Sequence, residues 1–263
     1  MLQTNDALQS AGNRYPSVSL IMPAYNLGEK IESSINVSRQ VLDGLSLNYE
    51  IIVVDDGSRD DTYRRVKDMS DNRIKLIRNP DNMGKGFSFK RGVELATGDY
   101  IVLSDADAEI DSFKIASYLK ALQHHDLVIA SKRLHSSIYN APAMRKLLSA
   151  VFNAVVDIMM GMRFSDTQTG LKAFRSDGIK KIMKFVTVKR YAFDVEILVV
   201  AKLLNLKTLE MPVMVNLNKM FRVRNIMYMV IDILGIFYRY RIIRWYQQNL
   251  SKVDPDYVPI VRI

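Results

Sequence analysis

Two carboxylates one residue apart, Asp105-Ala106-Asp107, follow an apolar run that ends at Leu103, and Glu109 continues the same spacing. Where the backbone turns, such carboxylates converge on one hard divalent cation, which offsets their repulsion and can hold a diphosphate; the bland alternative is a solvated turn opening a helix. Asp55-Asp56-Gly57-Ser58 follows the apolar Ile51, Ile52, Val53 and Val54. Its Asp side chains can accept bonds from base N–H groups or ribose hydroxyls, or serve only as an Asx-turn and helix cap. Asn82-Met83-Gly84-Lys85-Gly86 sets a lysine between two glycines, where backbone can approach a phosphate. The spacing is not that of a P-loop, and a plain loop fits equally well. Pro23-Ala24-Tyr25-Asn26 and Ser131-Lys132-Arg133 end two further apolar runs, the second bringing two positive charges.

These clusters need a frame. Residues 17–22, 49–54, 73–78, 99–103 and 127–130 read as buried strands, with helical spacing over 29–42, 62–70 and 87–96 between them. Strands alternating with helices predict a mostly parallel α/β sheet covered on both faces. Ligands of such sheets bind beyond the carboxyl ends of the strands, where all the polar clusters fall. Past residue 135 the alternation breaks down. Residues 143–162, 176–184, 194–203 and 226–245 read as helices, 170–174 as an edge strand, and 207–215 as one strand that Pro212 assigns to an edge.

The chain has 263 residues, 37 Lys+Arg against 28 Asp+Glu, and a formal charge of +9. A hydrophobic fraction of 48% excludes disorder. The absence of cysteine excludes disulfide scaffolds, thiolate metal sites and Cys nucleophiles. The charge points to an anionic partner: a phosphorylated ligand, a membrane surface or nucleic acid. No helix-turn-helix, RNP or zinc-finger pattern supports nucleic acid. No run approaches the roughly 18 apolar residues of a membrane-spanning helix, because Asp157 and Asp232 interrupt the apolar stretches 151–162 and 226–238. The expected layout is a disordered N-terminus (1–15), a catalytic domain (16–218), an interfacial amphipathic segment (219–250) and a tail (251–263). That segment mixes apolar residues with Arg222, Arg224, Arg239, Arg241, Arg244 and Trp245. Such a pattern suits a helix lying in a membrane interface, with a core helix or a homo-oligomer interface as the rival uses.

The order PAYN, VDDGS, NMGKG and SDAD resembles the family 2 glycosyltransferases with a GT-A nucleotide-diphospho-sugar transferase fold. The later segments DTQTGLKAF (166–174) and RYAFDVE (190–196) look like those of the dolichyl-phosphate glucosyltransferase branch. The resemblance implies an inverting enzyme that moves a hexose, glucose from UDP-glucose, onto polyprenyl (dolichyl) phosphate at the cytoplasmic face of a membrane. Mannose from GDP-mannose is the runner-up, and a sugar-nucleotide-binding module without turnover is the reading from another class.

By the same resemblance, Pro23, Ala24, Tyr25, Asp55, Asp56, Lys85 and Asp105 would serve the sugar nucleotide. Asp105, Asp107 and Glu109 would hold Mg²⁺ or Mn²⁺. Ser131 and Arg133 would serve the acceptor phosphate, and Asp107, Asp194 and Gln168 the reacting centre; because donor and acceptor are both anionic, Lys132, Lys172 and Arg175 are further candidates for a cationic clamp. Relatives carry Glu where Leu27 stands here, which makes Glu29 the nearest substitute.

Overall fold

A computed structural model describes residues 16–106, 114–216 and 223–253. Seven strands form one sheet in the order β3 (Ile74–Arg78), β2 (Tyr49–Asp55), β1 (Val18–Ala24), β4 (Tyr100–Leu103), β7 (Lys172–Arg175), β5 (Leu127–Ser131), β8 (Thr208–Pro212). All neighbours are parallel except β7, which runs antiparallel between β4 and β5. Two short strands, β6 (Ile138–Asn140) and β9 (Met214–Asn216), pair separately in parallel.

Alternation along the central strands divides the core. Leu20 and Met22 of β1, with Ile51 and Val53 of β2, pack beneath α1 (Glu29–Asp43) and α4 (Ile115–Ala121). Ile21, Ile52 and Val54 turn to the opposite face, onto Phe89 of α3 (Lys85–Leu95) and into the cluster with α6 (Ser176–Met183) and α7 (Phe193–Leu203). Burial on both faces explains why these strands read as unbroken apolar runs.

At the amino end of the sheet the buried Glu50 takes the Ser19 hydroxyl at 2.6 Å, the Thr97 N–H at 2.8 Å and the Lys75 ammonium at 2.5 Å. Burial alone would raise its carboxyl, but these donors outweigh burial and hold it at about 2. Because the folded-state value lies below the unfolded one, this stabilisation is present above about pH 4.5 and is lost as pH falls toward 2. It is worth on the order of 3 kcal/mol. Glu50→Gln is therefore expected to flatten the acid limb of a urea-midpoint-against-pH curve, and an unchanged limb would refute the assignment.

Three sequence expectations change. Residues 170–174 do not form an edge strand; β7 is interior, antiparallel between β4 and β5. The single strand expected over 207–215 is two: β8 is the predicted edge strand, and beyond Pro212 the chain leaves the sheet to make β9. The helix expected over 226–245 is α8 (Val223–Phe237), a π-helical turn (Tyr238–Ile242), and then α9 (Trp245–Val253). Arg244 breaks the path with φ of 52°. The inward residues Ile233, Ile236 and Tyr240 pack into the main core, as do Tyr246 and Leu250 of α9.

Candidate active site

The carboxyl ends of β1, β2 and β4 bring the predicted clusters to one rim. Ala24 is buried and Tyr25 exposes its ring at 42%. Asp56 N–H donates to Ala24 O, and Leu27 and Gly28 N–H groups donate to Thr62 Oγ1, so the two loops are laced together. Asp55 is fully buried, 3.1 Å from Arg78 Nε, and accepts the Ser58 N–H. Asp56 spends both oxygens on the third loop, accepting Asn79 Nδ2 at 2.6 Å and the N–H groups of Met83 and Gly84 at 2.9 and 2.8 Å. Its place is that of a loop holder. Leu27 packs partly buried against the core. The Glu29 carboxylate lies out toward Arg65, 3.9 Å away, rather than into the rim.

Gly84 (φ 103°) opens the loop that delivers Lys85, and a Cβ there would overlap Lys189 O. The Lys85 ammonium pairs with Asp105. Asp105 in turn lies against Gly170, where any Cβ would overlap its carboxyl. Below them Asp194 and Lys172 form a buried pair at 2.8 Å, with Lys172 also donating to Thr169 O at 2.6 Å. Burial pushes the Asp194 carboxyl up, against the charges of Lys172 and Lys85. Two carboxylates and two ammonium groups thus alternate from the rim inward.

Asp107 and Glu109 lie outside the described residues. Among the described residues no three His, Cys, Asp or Glu side chains converge. Asp105 nevertheless suits a hard divalent cation: it is an oxygen donor at a strand end, and an ammonium group already sits on it.

A second cluster surrounds the end of β5. Ser131 Oγ and Ser165 Oγ lie 2.6 Å apart. Lys132 turns inward, buried, with Nζ 2.7 Å from Asp166 Oδ2. Burial opposes the Asp166 charge, but Lys132, the Thr169 hydroxyl and the Gln168 N–H hold its carboxyl below the ordinary range. The Lys132 charge is therefore neutralised inside the protein, and Arg133, which is exposed, is the cation offered to the rim.

Arg175 leaves the site altogether. In antiparallel β7 it pairs with Tyr100, at the far end of β4, whereas Lys172 pairs with Leu103 at the rim. Three residues of this cluster escaped the sequence reading. Ser149, on α5 (Ala143–Met160), lies 3.5 Å from Arg133 Nη2. Tyr139, on β6, carries the Lys132 and Lys146 ammonium groups 5.7 and 5.4 Å from its ring centre. Its hydroxyl is buried without a hydrogen-bond partner. Burial raises that phenol while Arg145 and Arg133 pull it down, so Arg145 is the third. The signal available in sequence was only RKLLS, basic residues opening an apolar helix.

The segment from Ser165 to Gly170 joins the two clusters. It meets Ser131 and Lys132 at one end, Lys172 and Asp105 at the other, and carries the half-buried Gln168 between them.

Glu196 points elsewhere than Asp194, as a two-residue offset on a helix requires. It is fully buried and accepts the Thr187 N–H and Oγ–H, the Val188 N–H at 2.7 Å, Arg239 Nη2 at 3.1 Å and the Tyr246 hydroxyl. The Thr187–Val188 strip continues into Lys189, whose carbonyl takes the Phe87 N–H at 3.0 Å. Glu196 thus ties the C-terminal helices to the wall behind the Lys85 loop.

The model of glycosyl transferase family 2 matches residues 19–183. A dolichyl-phosphate beta-glucosyltransferase of Dictyostelium discoideum is 31% identical over 74% of this chain, and the match spans 65% of that protein, just under two thirds of its length. A dolichyl-phosphate beta-glucosyltransferase of Trichomonas vaginalis is 28% identical over 86% of this chain and 72% of its own. The crystal structure of glucosyl-3-phosphoglycerate synthase from Mycobacterium tuberculosis with Mn²⁺, UDP-glucose and phosphoglyceric acid superposes with a TM-score of 0.66 at 18% identity, over 89% of this chain and 81% of that one. At that identity the likeness shows the shared GT-A fold.

Proposed function

The chain belongs to glycosyl transferase family 2, and from that membership we propose that it moves glucose from UDP-glucose onto a polyprenyl (dolichyl) phosphate with inversion at the anomeric carbon. The observation that carries this reading is the 165–170 segment, which sets a cationic cluster suited to a phosphate monoester beside a rim suited to a sugar diphosphate. The names of the Dictyostelium and Trichomonas relatives support the sugar and the lipid.

The acceptor phosphate is mostly dianionic at neutral pH, its second pKa being about 6. One of its oxygens attacks the anomeric carbon while the bond to the UDP oxygen breaks, so no strong general base is needed. The chain's task is to hold two anions together. Arg133 and Arg145 attract the acceptor, with Ser149, Ser131 and the unpaired Tyr139 hydroxyl to orient it. Lys85 attracts the donor diphosphate, and Asp194 keeps Lys172 and Lys85 in place. Asp105 with Asp107 would hold Mg²⁺ or Mn²⁺, which supplies Lewis-acid charge to the diphosphate. Tyr25, beside Pro23 and Ala24, presents a ring on which a base can stack.

A polyprenyl tail stays in a bilayer, so the enzyme works peripherally at a membrane surface, on the side where sugar nucleotides are made. Among the described residues no helix is long and apolar enough to cross a membrane.

Radiolabelled sugar nucleotides offered with polyprenyl phosphate should label the lipid extract from UDP-glucose. Label from GDP-mannose alone would overturn the sugar assignment, and an unlabelled lipid would overturn the activity. In the same assay Arg133→Ala should raise the acceptor KM roughly 10- to 150-fold, the scale of one lost charged hydrogen bond, with the donor KM unchanged. A rise in donor KM instead would move Arg133 to the other cluster.

A further inference from the structure

Glu210, on the edge strand β8, pairs in register with Ile129 of β5. One of its oxygens, Oε1, takes three donors from the segment that joins the two clusters. These are the Ser165 N–H and the Ser165 hydroxyl, both at 2.8 Å, and the Asp166 N–H at 3.3 Å. Ser165 Oγ lies 2.6 Å from Ser131 Oγ, which in turn accepts the Arg133 N–H at 3.3 Å.

Counting protons fixes the direction of this chain. A serine hydroxyl has one proton to give, and a carboxylate has none. Ser165 gives its proton to Glu210, so toward Ser131 its oxygen accepts. Ser131 gives its proton to Ser165, so toward Arg133 its oxygen accepts in turn. Every donor from the Arg133 N–H inward therefore points toward the carboxylate, and bonds in such a series polarise one another. Ser131 is fully buried, so its hydroxyl holds the backbone of Arg133 rather than a ligand. The same turn is held a second time from β8. Ser137 Oγ donates to Ser131 O at 2.6 Å and accepts, at 3.2 Å, the N–H of Val213, the residue just past that strand. Across the segment Asn153 of α5 donates to Ser165 O at 2.8 Å, which fixes Ser165 on its other side.

We infer that Glu210 is a positioning residue for the acceptor phosphate: it sets the direction of the Ser165–Ser131 hydroxyl chain and through it aims Arg133. This rests on the lipid-acceptor reading for its purpose and deepens it, because Ser131 then serves the phosphate through Arg133 and not by contact. The Arg133 guanidinium comes within 3.5 Å of Ser149 from a backbone that β8 holds.

The test is calorimetric binding of geranyl phosphate, a water-soluble acceptor, to the full chain, beside glucosyl transfer to the same compound. Ser165→Ala cuts the hydroxyl chain but leaves both backbone N–H bonds to Glu210. It should weaken geranyl phosphate binding roughly three- to tenfold, the scale of one neutral hydrogen bond, with UDP affinity and the circular dichroism melt unchanged. Glu210→Ala should weaken binding at least as much, and Glu210→Gln, which keeps an oxygen acceptor, should restore it. Neither Ser165→Ala nor Glu210→Ala should weaken binding further once Arg133→Ala is present, because both act through that residue. Should Glu210→Ala fail to fold, Ser165→Ala with and without Arg133→Ala decides. Affinity equal to that of the intact chain in these variants, or losses undiminished beside Arg133→Ala, overturns the inference. So does an intact chain that binds no geranyl phosphate. Geranyl phosphate that binds in the expected pattern without being glucosylated keeps the positioning chain while removing the activity. Glucosylation with binding indifferent to Ser165 and Glu210 keeps the activity and removes the chain.

Discussion

Asp105→Ala is expected to lower kcat by roughly 10²–10³, the scale for removing one preorganised electrostatic group from a reacting centre. Asp105 is not a core residue: its side chain is about a quarter exposed (27%) and meets the Lys85 ammonium and Gly170. The melting temperature should therefore hardly move. Asp105→Asn preserves shape and removes charge, so a similar loss of kcat assigns the effect to the carboxylate. Chelation by EDTA should abolish transfer, and Mg²⁺ or Mn²⁺ should restore it. Full turnover in EDTA would remove the cation from the scheme and leave Lys85 as the charge on the donor side.

Glu196→Ala should be the most destabilising single change near the site. It strips five donors of their acceptor, two backbone N–H groups among them, and leaves Arg239 half-buried without its carboxylate. Breaking such a buried pair costs about 3–5 kcal/mol, which corresponds to a fall in Tm on the order of 10 °C for a chain of this size. The donor KM should rise as well, because the Thr187–Lys189 strip backs the Lys85 loop. Tyr246→Phe removes one of the five bonds, together with the one Arg239 Nε donates to the Tyr246 hydroxyl, and should cost about 1–2 kcal/mol. A Glu196→Ala protein that melts with the intact chain would refute the hub.

The rim was legible because each parallel strand ends an apolar run at a polar cluster, and direction could be assumed. That assumption failed at one strand. KAFR reads the same in either direction, so Arg175 was assigned to the wrong end of the sheet while Lys172 was underrated. Glu196 was opaque for another reason: its partners lie at 187, 188, 239 and 246, and nothing local records them. The exposed apolar stripe of α5, Leu147, Val151, Val155 and Ile158, was opaque in a third way. Its periodicity is that of a core helix, and periodicity reveals a stripe without revealing what lies across from it. Short pieces such as β6, three residues with an exposed–inward–exposed alternation, fall below any pattern. Trp245, read as an interfacial ring, is half-buried, edge-on to Tyr246 with centroids 5.2 Å apart.

The position of β7 also constrains how the chain can be made. β4 and β5 share no ladder; β7 alone stitches the β3-β2-β1-β4 half to the β5-β8 half. As the chain leaves the ribosome, the first four strands in sequence can pair with one another at once. β5 cannot: both its neighbours are still to be synthesised. The fully apolar Leu127–Ala130 edge, and with it the exposed stripe of α5, is therefore presented to the surroundings unpaired for the time it takes to make β7 and then β8. An unpaired apolar strand beside an apolar helix is the kind of surface that nascent chains lose to aggregation.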